Sequence, residues 1–537
     1  MGLVEKAHGA PMRTAMKEDL EQQRRLIGRL SALLSQLHGG EVEVVETHLS
    51  WVLLVDEYAY KLKKAIRFAF ADFSTLALRE RNCRDELVLN RRFAPQLYLE
   101  VVAIRGSADR PTLAGDTDPF DSDPIDSDPI ENDPIEYAVK LRRFASEDEL
   151  SALLVANSVT ALDLRKFGEQ LAAIHDSLPG CGDVDAVQAH RTAIENVAEM
   201  IRFAPPLRAR LEPWSDWLQQ EWRSIESLAA ERQQAGRIRE CHGDLHVRNV
   251  VKLDGGLIAF DCIEFNRALR CIDVASDVAF LAMDLQAHDR SDLAYAFLSG
   301  WFEGGGDHAA VAMLRFFKVH RALVRAKVAV LERNATARDR YLDLAQRLIA
   351  PSRPRLIITC GFSGSGKTWL SERLVSELPA LRIRSDVERK RLAGLRPQQS
   401  SRSLEWDIYS REFNRQVYEH LARAAEKALR AGESVSVDAA FLKRGERLAF
   451  RELAARCDAT FSIVHCVAPE EHLRDRLRQR QAAATDASEA DESVMLQQQR
   501  FWEPFDAQER ESVLVVRTDD EASVTAARDA LRMQSAP

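Results

Sequence analysis

Residues 242–249 read His242-Gly243-Asp244-Leu245-His246-Val247-Arg248-Asn249, and Phe260-Asp261 follows them. The spacing has a chemical logic. A carboxylate placed beside an acceptor hydroxyl takes or orients its proton, which suits Asp244. Five residues on, an amide oxygen reaches a metal ion bridging phosphates, which suits Asn249. A second carboxylate on the next hairpin completes that metal site, which suits Asp261. Val250–Leu253, Asp254-Gly255-Gly256 and Leu257–Phe260 supply the hairpin. Reading His242 and His246 as a metal pair at helical spacing is weaker, because no third ligand is evident and Gly243 fits a loop.

Such a site needs a lysine for the α/β-phosphates and a glutamate to hold it. Trp51–Val55 and Tyr58–Lys63 flank Asp56-Glu57 and predict a hairpin. Lys61, on its second strand, is the expected lysine, and Lys63 points the same way by the period of two. Ser74 is the predicted cap of a helix running to about Arg92. That helix offers Glu86 as the partner, with Glu80 behind it. No GxGxxG precedes these strands, so Thr47-His48-Leu49-Ser50 would have to serve as the phosphate-covering turn. Farther upstream, Leu26, Leu30, Leu33, Leu34 and Leu37 form one apolar stripe on a helix over 15–38.

A second constellation lies at Gly361-Phe362-Ser363-Gly364-Ser365-Gly366-Lys367-Thr368, which matches G-x-x-x-x-G-K-[ST]. It follows an apolar strand (Leu356–Cys360) and precedes a predicted helix (Thr368–Leu378). Glycines let backbone N–H groups converge on phosphates, and the helix N-terminus adds a favourable dipole. Gly361, Ser363, Gly364, Ser365 and Gly366 form the cradle. Lys367 neutralises the β/γ-phosphates and Thr368 ligates Mg²⁺. Further strands are expected at Leu381–Arg384, before Ser385-Asp386, at Ser434–Val437, before Asp438, and at Phe461–Val467. Arg474, Arg476, Arg478 and Arg480 then crowd one helical segment, where they repel one another unless anions are present.

The first constellation fits the H-x-D-L-x-x-x-N catalytic loop of protein-kinase-like enzymes. With Phe260–Asn266 (FDCIEFN) and Ile272-Asp273-Val274-Ala275-Ser276-Asp277-Val278-Ala279-Phe280, it resembles the aminoglycoside-phosphotransferase superfamily. The branch fused to a C-terminal P-loop kinase is most similar. Tyr60-Lys61-Leu62-Lys63-Lys64 and Leu89-Asn90-Arg91-Arg92-Phe93-Ala94-Pro95 share that likeness, which spans roughly residues 40–345. The resemblance implies phosphorylation of small alcohols such as aminoglycosides, choline, homoserine or sugars. It also implies that Asp273 braces the catalytic loop. Residues 355–520 resemble small P-loop kinases: gluconate and shikimate kinase, the polynucleotide-kinase 5′-kinase domain, chloramphenicol phosphotransferase and zeta toxin. That likeness implies Asp386 as the base for an acceptor hydroxyl and Arg389 as a substrate contact. It implies Asp438 as support for the metal site or for Arg389, and Arg476 and Arg480 as a lid over the phosphates.

The expected architecture is an α+β protein-kinase-like domain over 1–350, a linker at 351–354, and an α/β P-loop domain with a parallel sheet over 355–537. A chain of 537 residues is too long for one core. ATP and Mg²⁺ are the expected cofactors, and small-molecule hydroxyls the expected acceptors. A formal net charge of −9 argues against a broad nucleic-acid surface. The eight cysteines show no CxxC pair and no disulfide framework, which points to a reducing compartment. Without a signal-peptide pattern or a membrane-length apolar run, the expected location is the cytoplasm. Four pentapeptides (DTDPF, DSDPI, DSDPI, ENDPI) fill residues 116–135. Proline at fixed phase and dense carboxylates suit a solvated insertion between strands. The favoured reading is a bifunctional phosphotransferase. The competing readings are a nucleotide-gated regulator with one pseudokinase domain, and a zeta-toxin-like or antibiotic-modifying kinase.

Overall fold

The computed structural model describes residues 10–68, 70–115, 133–351, 353–397, 399–404, 406–483 and 487–533. Most of the acidic pentapeptide tract lies outside them. Two compact units result. The first holds residues 1–158, 178–184 and 236–273, and the second holds 159–177, 185–235 and 274–537. The kinase-like segment expected over 1–350 is thus divided, and its long helices from 159 onward share a unit with the P-loop segment.

The first unit is built on an antiparallel sheet of β1 (Glu43–Glu46), β2 (Ser50–Val55), β3 (Tyr58–Lys63), β4 (Tyr98–Ser107), β5 (Arg110–Gly115) and β6 (Glu136–Arg142). Their order is β1-β2-β3-β6-β4-β5. Period-two patterning gives the sheet two apolar faces. The helix Ala10–His38 lays Leu26, Ile27, Leu30 and Leu34 against Leu53, Val55, Leu62 and Ile104 on one face. Leu37, expected on that stripe, is exposed at the helix end. The helix Leu76–Asn90 covers the other face with Cys83, beside Val101, Tyr137 and Val139. Its cap is Thr75, not Ser74: the Thr75 hydroxyl accepts from the Leu78 N–H, while Ser74 Oγ donates to Asp72 Oδ1 at 2.6 Å.

Four short strands complete this unit: β7 (Ile238–Glu240), β8 (Val250–Leu253), β9 (Gly256–Ala259) and β10 (Cys271–Asp273). β8 and β9 form the expected hairpin, turned by Asp254 and Gly255, both at positive φ as a type I′ turn requires. β10 pairs antiparallel with β7, which leads into the 242–249 loop, so Asp273 lies opposite Ile238. Cys181 and Cys271 form a disulfide, contrary to the reading of the scattered cysteines. Residues far apart in sequence become disulfide neighbours only once the strands are folded, so spacing gave no signal. The other six cysteines are free.

The second unit opens with long helices, including Ala161–Ser177, Arg208–Gln234, Ser291–Gly305 and Val311–Leu331. Trp214 and Trp222 are buried helix core. The P-loop segment follows as a parallel sheet of β11 (Arg355–Cys360), β12 (Leu381–Arg384), β13 (Val435–Asp438), β14 (Thr460–Val467) and β15 (Val513–Arg517). The order β12-β13-β11-β14-β15 makes β12 an edge. The helix Ser291–Gly305 seals that edge. Ser299 Oγ accepts the Arg382 N–H at 3.1 Å, and Glu303 takes the buried Arg382 guanidinium at 2.8 Å. Lys318 and Tyr295 likewise hold Glu433 just ahead of β13. No described helix is long and apolar enough to cross a membrane.

Candidate active sites

In the first unit, β3 projects Lys61 and Lys63 from one face, as the period of two requires. Lys61 Nζ donates to Glu86 Oε1 at 2.8 Å and is also paired with Asp261. Lys63 Nζ lies 2.5 Å from Glu86 Oε2 and is also paired with Glu264. Glu86 is fully buried between the two lysines, and Glu80 instead pairs with Arg84 on the helix surface. Burial alone would push the Glu86 carboxyl up and the Lys61 ammonium down. The pairing reverses both: Lys61 and Lys63 hold Glu86 below the ordinary carboxylate value, and Asp261 and Glu86 hold Lys61 well above the ordinary lysine value. At Glu264 burial outweighs the pull of Lys63 and Lys61 and raises the carboxyl. Sequence reading missed Glu264 and gave Lys63 a secondary place. The signal was present in the glutamate of the FDCIEFN stretch.

The loop 242–249 is fixed by its own polar groups. Asn249 Nδ2 donates to the Asp244 carbonyl at 2.9 Å and to Asp244 Oδ2 at 3.2 Å, which brings the two predicted residues together. His242 Nε2 lies 2.8 Å from the Phe260 carbonyl, tying the loop to the strand before Asp261. His246 accepts the Arg248 N–H at its Nδ1 and lies 3.4 Å from Asp244 by its Nε2. Both histidines therefore order the loop. Asp261 adopts φ 61°, an unusual conformation for a residue with a side chain, held by a Tyr98 hydroxyl on its N–H at 3.0 Å. Lys61 holds the Asp261 carboxyl low. Thr47 and Ser50 close a tight turn between β1 and β2, with Lys64 Nζ donating to the Thr47 carbonyl at 2.5 Å.

In the second unit, β11 runs into the loop 361–366 and the helix Lys367–Glu377. Gly364 and Gly366 hold φ near +84°, and a Cβ on them would meet the Leu473 carbonyl at 2.6 Å and Thr518 Oγ1 at 2.9 Å. Only glycine fits this cradle. Lys367 Nζ caps the Gly361 and Phe362 carbonyls at 2.9 and 2.8 Å, and burial lowers its pKa. Asp438, at the end of β13, accepts from Ser371 Oγ at 3.2 Å and faces Arg384 at 3.9 Å. Burial raises its carboxyl, against the pull of Arg384 and Arg382 and a Thr368 hydrogen bond. Thr368 and Asp438 thus set two hard oxygen donors side by side, a donor set that suits Mg²⁺.

A cavity of about 870 Å³ joins this loop to Asp386, Arg389, Asp438, Arg476 and Arg480. Asp386 opens the helix Ser385–Leu392 at the carboxyl end of β12. Arg389 is held by the Ile408 carbonyl at 2.8 Å and Asn414 Oδ1 at 2.6 Å, over the Tyr409 ring. Asp438 pairs with Arg384. Arg476 donates to Thr518 Oγ1 at 2.8 Å and to the Gly364 carbonyl at 3.4 Å, which ties it to the cradle. Arg480 donates to the Ala490 carbonyl. Arg474 and Arg478 pair outside the cavity with Glu470 and Asp475. Gln498, which sequence reading missed, accepts the Ser363 N–H at 2.7 Å.

Residues 154–314 match the phosphotransferase enzyme family, and residues 356–505 match a family described as AAA domain. The first match covers Asp244, Asn249 and Asp261 and begins after Lys61 and Glu86. With the site geometry, these matches make the chain a kinase that pairs a phosphotransferase-family domain with a P-loop domain. Uncharacterized protein Rv2004c of Mycobacterium tuberculosis is 29% identical over 483 residues, covering 86% of this chain and 91% of that protein. A sugar kinase from Janibacter is 20% identical, covering 33% of this chain and 95% of that one, with a TM-score of 0.27. A choline/ethanolamine kinase family protein from Mesorhizobium loti is 11% identical, covering 61% and 95%, with a TM-score of 0.35.

Proposed function

We propose that this kinase is bifunctional, with each unit carrying an ATP–Mg²⁺ site that transfers the γ-phosphoryl group to a hydroxyl of a small molecule. The observation that carries the reading is the completeness of both residue sets. Lys61, Glu86, Asp244, Asn249 and Asp261 occur in one unit, and the P-loop, Thr368, Asp438 and Asp386 line one cavity in the other. Mg²⁺, when bound, would neutralise phosphate charge. Asn249 and Asp261 would hold it in the first unit, and Thr368 and Asp438 in the second.

In the first unit, Glu86 fixes Lys61 for the α/β-phosphates, and Asp244 accepts the acceptor's proton. In the second, the 361–366 amides cradle the phosphates and Lys367 leaves its carbonyls to meet them. Asp386 accepts the hydroxyl proton, Arg389 holds the acceptor, and Arg476 and Arg480 offset charge on the moving phosphoryl group. The test is transfer from γ-labelled ATP to a panel of amino alcohols, sugars, nucleosides and aminoglycosides. Asp244→Ala should abolish one set of products and Lys367→Ala the other. Wild-type protein that labels no hydroxyl compound, or labelling that survives both substitutions together, would overturn the proposal.

A further inference from the structure

Outside both nucleotide sites, three side chains converge where the helical part of the second unit meets its P-loop part. His308 follows the helix Ser291–Gly305, Glu388 lies in the helix Ser385–Leu392, and His420 lies in the helix Arg411–Arg430. One donor atom from each lies within 4.8 Å of the others. His308 Nε2 is 3.1 Å from Glu388 Oε1, and His420 Nε2 is 2.9 Å from Glu388 Oε2. The Glu388 side chain is 1% exposed and that of His308 is 10% exposed. His308 Nε2 is buried and aims into the cluster at Glu388 Oε1.

We propose that His308, Glu388 and His420 form a binding site for a divalent transition-metal ion of the zinc class. Two imidazoles and one carboxylate suit such an ion, whereas Mg²⁺ and Ca²⁺ favour oxygen donors alone. Small side-chain rotations close the cluster to the roughly 2.0–2.2 Å ligand distances of zinc. Three protein ligands leave further coordination positions for water. The surroundings fit the donor set. Arg391 pairs with Glu388 and is itself anchored on the carbonyls of Phe302 and Glu303, so it orients the carboxylate while Oε2 faces His420. The Phe302 ring stacks on His308, with centroids 5.8 Å apart and planes 11° apart, and fixes that imidazole. His420 is 24% exposed, which gives an ion its entry path.

The bound ion would pin the helix Ser385–Leu392, which also carries Asp386 and Arg389. It would act as a structural clamp distinct from the nucleotide-bound Mg²⁺. The test uses the full chain, stripped with chelator, without nucleotide, and titrated with Co²⁺ as a spectroscopic stand-in. Visible ligand-field bands should saturate at about one ion per chain and vanish on adding Zn²⁺. They should be lost in the His308→Ala/His420→Ala double variant and persist in Asp438→Asn, which spares this cluster. His420→Gln alone, at the exposed edge, should weaken binding roughly 10-fold or more. Wild-type protein without Co²⁺ bands at excess metal would overturn the proposal. So would bands of full intensity in both the double variant and His420→Gln.

Discussion

Replacing Lys61 by Met tests the buried charge cluster of the first unit, because its bookkeeping is unusually simple. Two lysines face three carboxylates: Lys61 and Lys63 against Glu86, Asp261 and Glu264. Without Lys61, a single lysine serves both buried glutamates. Asp261, 43% exposed, can turn to water and adds little. Glu86 cannot, since its side chain is fully buried. Breaking one arm of a buried pair costs about 3–5 kcal/mol, and the remaining Lys63 contact places the expected loss near the lower end, at about 3 kcal/mol. At 1.36 kcal/mol per decade, amide exchange in Tyr58–Lys63 and Leu76–Asn90 should quicken by roughly 10²-fold.

The pH dependence has a definite sign. In the native protein the Glu86 carboxyl is depressed, so its contribution is present above the unfolded value of about 4.3 and is lost as pH falls through the lower folded value. In Lys61→Met only Lys63 still opposes burial, so the depression shrinks and the carboxyl rises. The variant's deficit is then largest at neutral pH and narrows as the pH drops towards the unfolded value. Hydrogen exchange at pH 7.5 and pH 5.5, corrected for intrinsic rates, reads both effects. Protection within about threefold of wild type at both pH values, or a deficit that widens at pH 5.5, would refute the account.

The other predictions separate the sites. Lys367→Ala should abolish nucleotide binding at the P-loop and leave binding in the first unit, measured with a fluorescent ATP analogue in each single variant. Asp386→Asn should keep near-normal ATP affinity but lower single-turnover transfer in the second unit by roughly 10²–10⁴-fold. Loss of ATP binding there would make Asp386 a metal-site or structural residue instead. Gly366→Ala should abolish P-loop binding through sterics, because the added methyl meets Thr518 within 3.0 Å. A crystal structure of that variant with nucleotide bound would disprove the cradle argument.

Motifs with fixed local geometry were legible from sequence. The 242–249 loop, the Asp254-Gly255 hairpin and the 361–368 loop each carry their constraint within a few residues, so their places in the fold follow directly. Lys61 and Glu86 were legible because strand period and helix position aim them inward. Groups defined by long-range packing were not. Glu264 enters the lysine cluster, and Gln498 reaches Ser363, only after strands and helices separated by many residues are brought together. The choice between Ser74 and Thr75 as helix cap turned on a hydrogen bond from Ser74 to Asp72, which no propensity encodes. Arg476 and Arg480 were singled out among four similar arginines by resemblance, and these two line the cavity.

The sealed edge of β12 bears on how such a chain can be inherited. A P-loop fold released at residues 351–354 would present β12 with a bare Arg382 amide and a guanidinium stripped of Glu303. Exposed strand edges invite pairing with other chains. A recombination event that moved the P-loop cassette elsewhere would carry that liability with it. Its new host would have to supply a serine and a carboxylate on a helix at the right register, or the cassette would have to change Arg382. The two halves are therefore expected to travel through genomes together, their boundary guarded by one strand edge.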